Sequence, residues 1–154
     1  MTINTGISDA GRSAVVGVLG KLLADEFTLY VKARNFHWNV VSPNFSELHK
    51  FFEGQYEALD DVVDEVAERI RSLDAFAPAS LSSYLALKRI DESPAGLAAP
   101  AMIAALLADH EFLARTLRAD IEVAEGANDT GTADFLTALL EQHEKSAWML
   151  RATR

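Results

Sequence analysis

The side chains of this 154-residue sequence whose types and spacing suggest chemistry are histidines and carboxylates. The sequence contains no cysteine. Without cysteine, disulfides, zinc–thiolate sites, iron–sulfur clusters and thiol nucleophiles are all excluded. Four histidines are present, and none has a glutamate three residues before it. The sequence therefore lacks the Glu-x-x-His pairs by which many four-helix bundles hold two metal ions inside one subunit.

A second pattern places histidines and carboxylates one helical turn apart. His49 and Glu53 are four residues apart, as are Asp64 and Glu68, so each pair shares one face of a helix. His37 lies across a short turn from His49, so the two imidazoles can converge. The pattern predicts a nitrogen-rich half-site of His37, His49 and Glu53 and a carboxylate half-site of Asp64 and Glu68.

The two half-sites cannot meet within one chain if they lie on the same helix. A separation of fifteen residues between their centres is about 22 Å along a helix, whereas metal–ligand bonds are about 2 Å long. Two copies of this helix, packed antiparallel about a two-fold axis, would pair His49 with Glu68 and Glu53 with Asp64 in a single register. Each dimer would then hold two identical sites. Their mixed imidazole and carboxylate ligands suit Fe(II), with Zn(II) or Mn(II) able to substitute.

The elements that must position these residues are long helices. Apolar residues recur at helical spacing over about 8–38, 44–73, 100–125 and 130–151, and 80–88 reads as a short helix within a long connection, 74–99. Asn44 and Glu47 have the spacing of a capping box at the second helix. Four long helices with a long link between the second and third predict an all-α, ferritin-like four-helix bundle with a crossover. We expect one domain over 1–154, with about 1–7 as a flexible tail.

The charge balance disfavours nucleic acid as a constitutive partner. Fourteen basic residues stand against twenty-three acidic ones, a formal net charge of −9, and residues 1–11 contain no lysine or arginine. The same N-terminal stretch lacks the features of a secretory signal. The longest weakly polar stretch, 93–108, is too short to span a bilayer. These observations favour a cytoplasmic protein without a membrane partner.

Three stretches together resemble a known family. Asn35-Phe-His-Trp-Asn-Val, then Phe45-Ser-Glu-Leu-His-Lys-Phe-Phe-Glu, then Asp64-Glu-Val-Ala-Glu-Arg-Ile resemble the Dps family, the mini-ferritins or DNA-binding proteins from starved cells. The likeness extends over about 8–151. It implies a hollow dodecamer in which di-iron ferroxidase sites lie at two-fold interfaces. His37, His49 and Glu53 would come from one subunit and Asp64 and Glu68 from its mate, with Glu53 standing where many relatives have Asp.

The resemblance also implies an activity. Family members oxidise Fe(II), preferably with hydrogen peroxide, store the ferric mineral inside the oligomer and thereby protect DNA from oxidative damage. Trp38 is similar to the family tryptophan beside the site, so that it either packs or accepts stray oxidising equivalents. Three acidic residues lie near the start of the last helix, where they either cap a helix or line an acidic pore: Glu122, Asp129 and Asp134.

Two other functions remain open at this point, a DNA-compacting nucleoid protein and a metal-free structural helical oligomer. Residues 1–11 contain no lysine or arginine, so we expect weak or no direct DNA binding at neutral pH. Association with the nucleoid stays open as an alternative. Because acidic residues flank His110 and His143, we expect both at the surface. We expect Trp148 in the core.

Overall fold

The structure, a computed structural model, describes residues 3–153 and is built from α-helices. Met1 and Thr2, part of the predicted tail, and Arg154 lie outside the described residues. The helices are α1 Asp9–Asn39, α2 Phe45–Ser72, α3 Leu81–Leu87, α4 Ala99–Gly126 and α5 Thr130–Ala152. Residues 3–153 contain no β-strand, so the predicted all-α class is confirmed.

The helix ends follow from side chains that satisfy free backbone N–H groups. Ser8 Oγ accepts from the Gly11 N–H at 3.1 Å, and Asp129 Oδ1 accepts from the Thr132 N–H at 3.0 Å. The predicted capping box at α2 is wrong. Asn44 precedes the helix but makes no side-chain capping bond. Its own N–H, which Glu47 would have to accept, instead donates to Ser42 Oγ at 3.2 Å.

The connections give the predicted crossover bundle. The short link 40–44 makes α1 and α2 antiparallel neighbours, and the turn 127–129 does the same for α4 and α5. Asn44 at the start of α2 and Pro100 at the start of α4 line one cleft. The link 73–98 must therefore return along the length of the bundle. The core includes large, fully buried side chains from all four long helices, among them Leu19, Leu22, Leu23, Phe36, Phe52, Ile70, Leu106, Leu113, Leu117 and Leu136.

Ion pairs fix the long link and α4 to α1. Arg89, in the link, donates its backbone N–H and its Nε to the carboxylate of Asp25, with Nε 2.7 Å from Oδ2. Lys32 of α1 is buried and pairs with Asp109 of α4. Burial raises the pKa of Asp25, while Arg89 acts in the opposite direction. Removing only one partner would leave a poorly compensated buried charge.

Near the end of α5, a tryptophan that we expected in the core lies at the surface. Trp148 is 61% exposed, so its predicted place in the core is wrong. It follows Glu144 by four residues and Lys145 by three, which places it on the solvent face of α5, whereas Ala147 and Leu150 face the core. Among residues 3–153, no helix combines the length and apolar character needed to cross a membrane.

Candidate metal centre

His37 and His49 hold each other in one fixed arrangement. Their rings stack with centroids 3.7 Å apart. Nδ1 of His37 lies 2.8 Å from the His49 carbonyl oxygen, and Nδ1 of His49 lies 2.8 Å from the His37 carbonyl oxygen. A carbonyl oxygen can only accept a hydrogen bond, so each Nδ1 carries a proton. In the neutral ring each Nε2 then keeps its lone pair, the tautomer in which a metal-binding histidine is usually held.

Neighbouring aromatic rings surround this pair. The Phe45 ring stacks on His49 at 5.0 Å, and the Tyr56 ring meets the His37 ring edge-on at 5.2 Å. His37 is buried and His49 is half-buried. Desolvation raises the pKa of Tyr56, and the charge of Glu53, three residues earlier on α2, acts in the same direction. The result is a rigid nitrogen-donor pair with limited access to water.

The three predicted carboxylate ligands all lie on α2. Glu53 is half-exposed, one turn beyond His49, and Asp64 and Glu68 are exposed further along the helix. Within residues 3–153, none of the three carboxylates accepts a hydrogen bond or forms an ion pair. Their oxygens are therefore available to a metal ion or to another subunit.

One subunit does not bring the full ligand set together. No group of three or more histidine, aspartate or glutamate side chains within residues 3–153 is placed to hold a metal ion. The structure joins His37 to His49, with Glu53 one turn away, but Asp64 lies about 16 Å from Glu53 along α2. This separation is too long for one subunit to complete the site alone. The shared site itself stays a prediction.

Trp38 does not pack in the core of its subunit. It is 66% exposed, although it follows His37 directly. The guanidinium of Arg34 lies 5.9 Å from its ring, 4.2 Å from the Tyr56 ring and 5.2 Å from the Tyr30 ring. Packing within one chain therefore does not account for Trp38. The redox role stays a prediction.

The acidic residues near α5 separate into two kinds. Asp129 is buried, caps α5, accepts from Thr132 Oγ1 at 2.6 Å and pairs with Arg69 Nη2 at 2.7 Å. Both of its carboxylate oxygens are thus occupied. For Asp129 the structure supports helix capping over the pore alternative. Glu122 and Asp134 are exposed, and a pore role for them stays a prediction.

His110 and His143 are buried, so the expectation that they lie at the surface is wrong. Their Nδ1 atoms are 2.9 Å apart, His110 Nε2 lies 3.0 Å from Gln55 Oε1, and His143 Nε2 lies 2.8 Å from Glu26 Oε1. Each long helix thus contributes one side chain to a polar network, which we call the core tetrad. Burial, together with the charge of His143, lowers the pKa of His110 well below its usual value.

Helical spacing was the signal that identifies these two histidines as buried. His110 follows Leu106 by four residues and Leu107 by three, and His143 follows Leu139 and Leu140 in the same way. The acidic residues beside each histidine in sequence point in other directions around the helix, because adjacent positions differ by about 100°. Flanking charge was therefore the wrong guide to burial.

The order and connections of the helices are those of a ferritin-like protein, and the candidate ligands lie on α1 and α2. A family described as Ferritin-like domain matches residues 17–154. An uncharacterized low temperature-induced protein of Nostoc is 41% identical over 152 residues, covering 97% of this chain and 85% of that protein. DNA protection during starvation protein 2 of Bacillus anthracis is 38% identical over 138 residues, covering 90% and 94%.

A solved structure is similar over nearly the whole chain. It is the Dps protein of Vibrio cholerae, described as a member of a broad superfamily of ferritin-like diiron-carboxylate proteins. It superposes with a TM-score of 0.93 at 31% identity, covering 99% of this chain and 96% of that one. The chain belongs to the Dps family of ferritin-like proteins.

Proposed function

We propose that the protein is a ferroxidase that oxidises Fe(II) and stores the ferric product inside a hollow homo-oligomer. The observation that carries this proposal is the reciprocal hydrogen bonding of His37 and His49, which leaves both Nε2 atoms as metal donors. In this proposal Fe(II) is the substrate of the protein. Membership of a family that includes a diiron-carboxylate protein supports the same metal.

Each site draws on two subunits in this proposal. His37, His49 and Glu53 of one subunit face Asp64 and Glu68 of its two-fold mate. The imidazoles are neutral donors, and the three carboxylates favour the higher charge of Fe(III) over Fe(II). Zn(II) or Mn(II) could occupy the same ligands, and Zn(II), which has no redox chemistry, would not be oxidised there.

Exposed apolar side chains on α1 and α3 support association between subunits. Val31 and Trp38 on α1 are 47% and 66% exposed, and Leu81 and Leu85 on α3 are 70% and 55% exposed. An apolar surface of this kind in a water-soluble bundle is typical of a subunit interface. The ligand spacing supports the antiparallel dimer, and membership of the family supports the proposal that such dimers assemble into a dodecamer.

Two irons at one site can deliver two electrons to one hydrogen peroxide molecule. The products are two Fe(III) ions and, with two protons, two water molecules, so no hydroxyl radical leaves the site. Peroxide is therefore our proposed oxidant, and removal of both reactants is how the protein would protect DNA. Trp38 would accept an oxidising equivalent when only one iron is present. Glu122 and Asp134 would draw cations toward the interior.

Rapid-mixing oxidation of Fe(II) with peroxide tests the assignment. His49→Ala and Asp64→Ala should each slow oxidation strongly, because each removes one ligand from every site. Glu141→Ala, which removes an exposed carboxylate from α5, is the matched control and should oxidise iron as the unmodified protein does. Equal rates in all four proteins would show that the ligands are wrongly assigned.

The alternative functions make different forecasts. A DNA-compacting protein would retard DNA in a gel at low salt, whereas the net charge of −9 leads us to expect weak or no retardation at neutral pH. A metal-free structural oligomer would show no change in thermal stability when Fe(II) or Zn(II) is added. We place the protein in the cytoplasm, where peroxide and Fe(II) would meet DNA.

A further inference from the structure

Highly exposed apolar side chains lie at both ends of α2. Phe76, in the link after α2, is 90% exposed, and Val41, in the link before α2, is 87% exposed. Phe45, the first residue of α2, is 46% exposed. Single exposed apolar residues are common on protein surfaces, so exposure alone assigns these three no role. Their places relative to the predicted metal ligands are what point to one.

The end of α2 fixes the position of Phe76. Asp74 has a φ of 65°, in the left-handed region, and the Ala75 N–H donates back to the Ile70 carbonyl oxygen at 3.4 Å. The chain therefore stays beside the last turn of α2 after the helix ends. The Arg71 guanidinium lies 4.7 Å from the Phe76 ring, and Arg71 Nη1 donates to the Ala75 carbonyl oxygen at 2.7 Å. Phe76 is thus held at the end of α2 while its ring faces solvent.

Phe45 and Phe76 lie at opposite ends of the side of α2 that carries the predicted ligands. Phe45 precedes His49 by one turn, and their rings stack at 5.0 Å. Arg71, which holds Phe76, follows Glu68 by three residues and so shares its side of the helix. Each half-site therefore has an exposed aromatic ring on its outer side.

The register predicted from the ligands brings these two ends together. His49 pairs with Glu68 in the antiparallel dimer, and the midpoint of this pair is also the centre of α2, which runs Phe45–Ser72. Two copies of α2 in that register overlap along their whole length. The start of each helix then lies level with the end of the other, which places Phe45 beside the partner's Phe76. The ligand spacing alone sets this register, and the bounds of α2 match it independently.

The middle of this helix pair carries charges that oppose association. In the same register Glu57 faces Asp60 of the partner subunit, and both residues are exposed. Like charges placed opposite one another destabilise an interface. The predicted ligand carboxylates add to the negative charge of this side of α2. Apolar contact at both ends of the pair would offset this repulsion in the metal-free dimer.

We propose that Phe76 of the partner subunit packs on Phe45 at each end of the α2 pair, an inference that rests on the proposed two-subunit site. The contact holds the two half-sites in register. Because the Phe45 ring already lies on His49, the same contact covers the outer side of that ligand and keeps water from it. Val41, four residues before Phe45, belongs to the same apolar contact. Phe76 is thus a positioning residue, which acts on the ligands through Phe45.

Photochemical cross-linking of the metal-free protein tests this contact. Phe76 is replaced by photoreactive benzoylphenylalanine, which keeps an aromatic ring at this position, and the attachment point after irradiation is found by mass spectrometry. We expect covalent dimers in which the reagent is attached to residues 41–49 of the second chain. Within one chain that segment lies at the other end of α2, about 40 Å away, so the link can form only between subunits.

The same photoreactive residue at Trp148, an exposed aromatic position of α5, is the matched control. It should give no attachment to residues 41–49. If the residue at position 76 gives no covalent dimer, or attaches outside residues 41–49, the proposed contact is wrong.

Exchange of subunits between two fluorescently labelled populations, again without metal, gives the second test. Phe76→Ser removes the ring from both ends of each pair, and the exchange rate should rise by about tenfold or more. Phe76→Leu keeps an apolar side chain and should exchange nearly as slowly as the unmodified protein. Because Phe76 is exposed in the subunit, neither change should unfold it. An unchanged rate in Phe76→Ser, or an equal rise in both variants, would refute the contact.

These results separate the contact from the proposed function. If the cross-link is absent while His49→Ala and Asp64→Ala still slow iron oxidation, only the inference about Phe76 fails. If the cross-link forms while both ligand variants oxidise iron at the full rate, the contact stands and the ferroxidase ligands are wrongly assigned.

Discussion

Replacement of Asp129 separates a structural role from a role in a pore. Asp129→Ala removes the N-cap bond to the Thr132 N–H, the bond from Thr132 Oγ1 and the 2.7 Å ion pair with Arg69. Loss of the cap costs about 1 kcal/mol, and loss of buried hydrogen bonds to a charged group costs about 2 kcal/mol more. The expected destabilisation is therefore about 3 kcal/mol.

Thermal unfolding followed by far-ultraviolet circular dichroism measures this effect. For a domain of about 150 residues, each kcal/mol shifts Tm by about 2–4 °C, so Asp129→Ala should unfold about 6–12 °C lower. Asp129→Asn keeps the capping oxygen and should lose less. Asp134→Ala, at an exposed position of α5, should leave Tm within about 2 °C. An unchanged Tm for Asp129→Ala, with slower iron uptake instead, would refute the capping role and favour the pore.

Asparagine at Asp120 and at Asp25 should have opposite effects on Tm at pH 7. Burial raises the pKa of both carboxyls while Arg89 acts in the opposite direction, but Asp120 Oδ2, 3.6 Å from Arg89 Nη2, has no hydrogen-bond partner, so Asp120→Asn should raise Tm by a few degrees. The gain from Asp120→Asn should vanish below about pH 4, where the carboxyl is protonated in both the folded and the unfolded protein. Asp25→Asn, in contrast, loses close contacts with Arg89 and should lower Tm throughout neutral pH. Calorimetry of both variants from pH 3.5 to 7.5 measures the two changes in Tm, and changes of the same sign at pH 7 would contradict the prediction. Zn(II) should raise the Tm of the unmodified protein, through preferential binding to the folded state, and should raise that of Asp64→Ala much less.

The helices could be predicted closely because their signals are local. Ser8 and Asp129 cap α1 and α5 as residues of their type commonly do, and apolar spacing defines the faces between them. The capping box failed because Ser42, two residues before Asn44, accepts the Asn44 N–H that Glu47 needed, and the Asn44 side chain itself makes no capping bond. Such competition depends on the local turn and is not visible in a residue pattern.

The part of the candidate site that lies on one helix could be predicted from the sequence. The spacing of His49, Glu53, Asp64 and Glu68 is a one-dimensional quantity, and the rise of α2 converts it to distance. The orientation of His37 toward His49 depends on the link 40–44, so the reciprocal hydrogen bonds had to be observed. The core tetrad was missed for a different reason. Four separate helices supply it, and only tertiary packing brings them together.

Mixed oligomers test the central claim, that each iron site is shared between two subunits. His49→Ala damages one half-site and Asp64→Ala the other, so each protein alone should be nearly inactive in Fe(II) oxidation with peroxide. Unfolded and reassembled together in equal amounts, they should pair at random, which leaves about a quarter of all sites with both halves intact. We therefore predict that the mixture regains about a quarter of the unmodified rate. A reassembled mixture no more active than its two components would contradict a shared site.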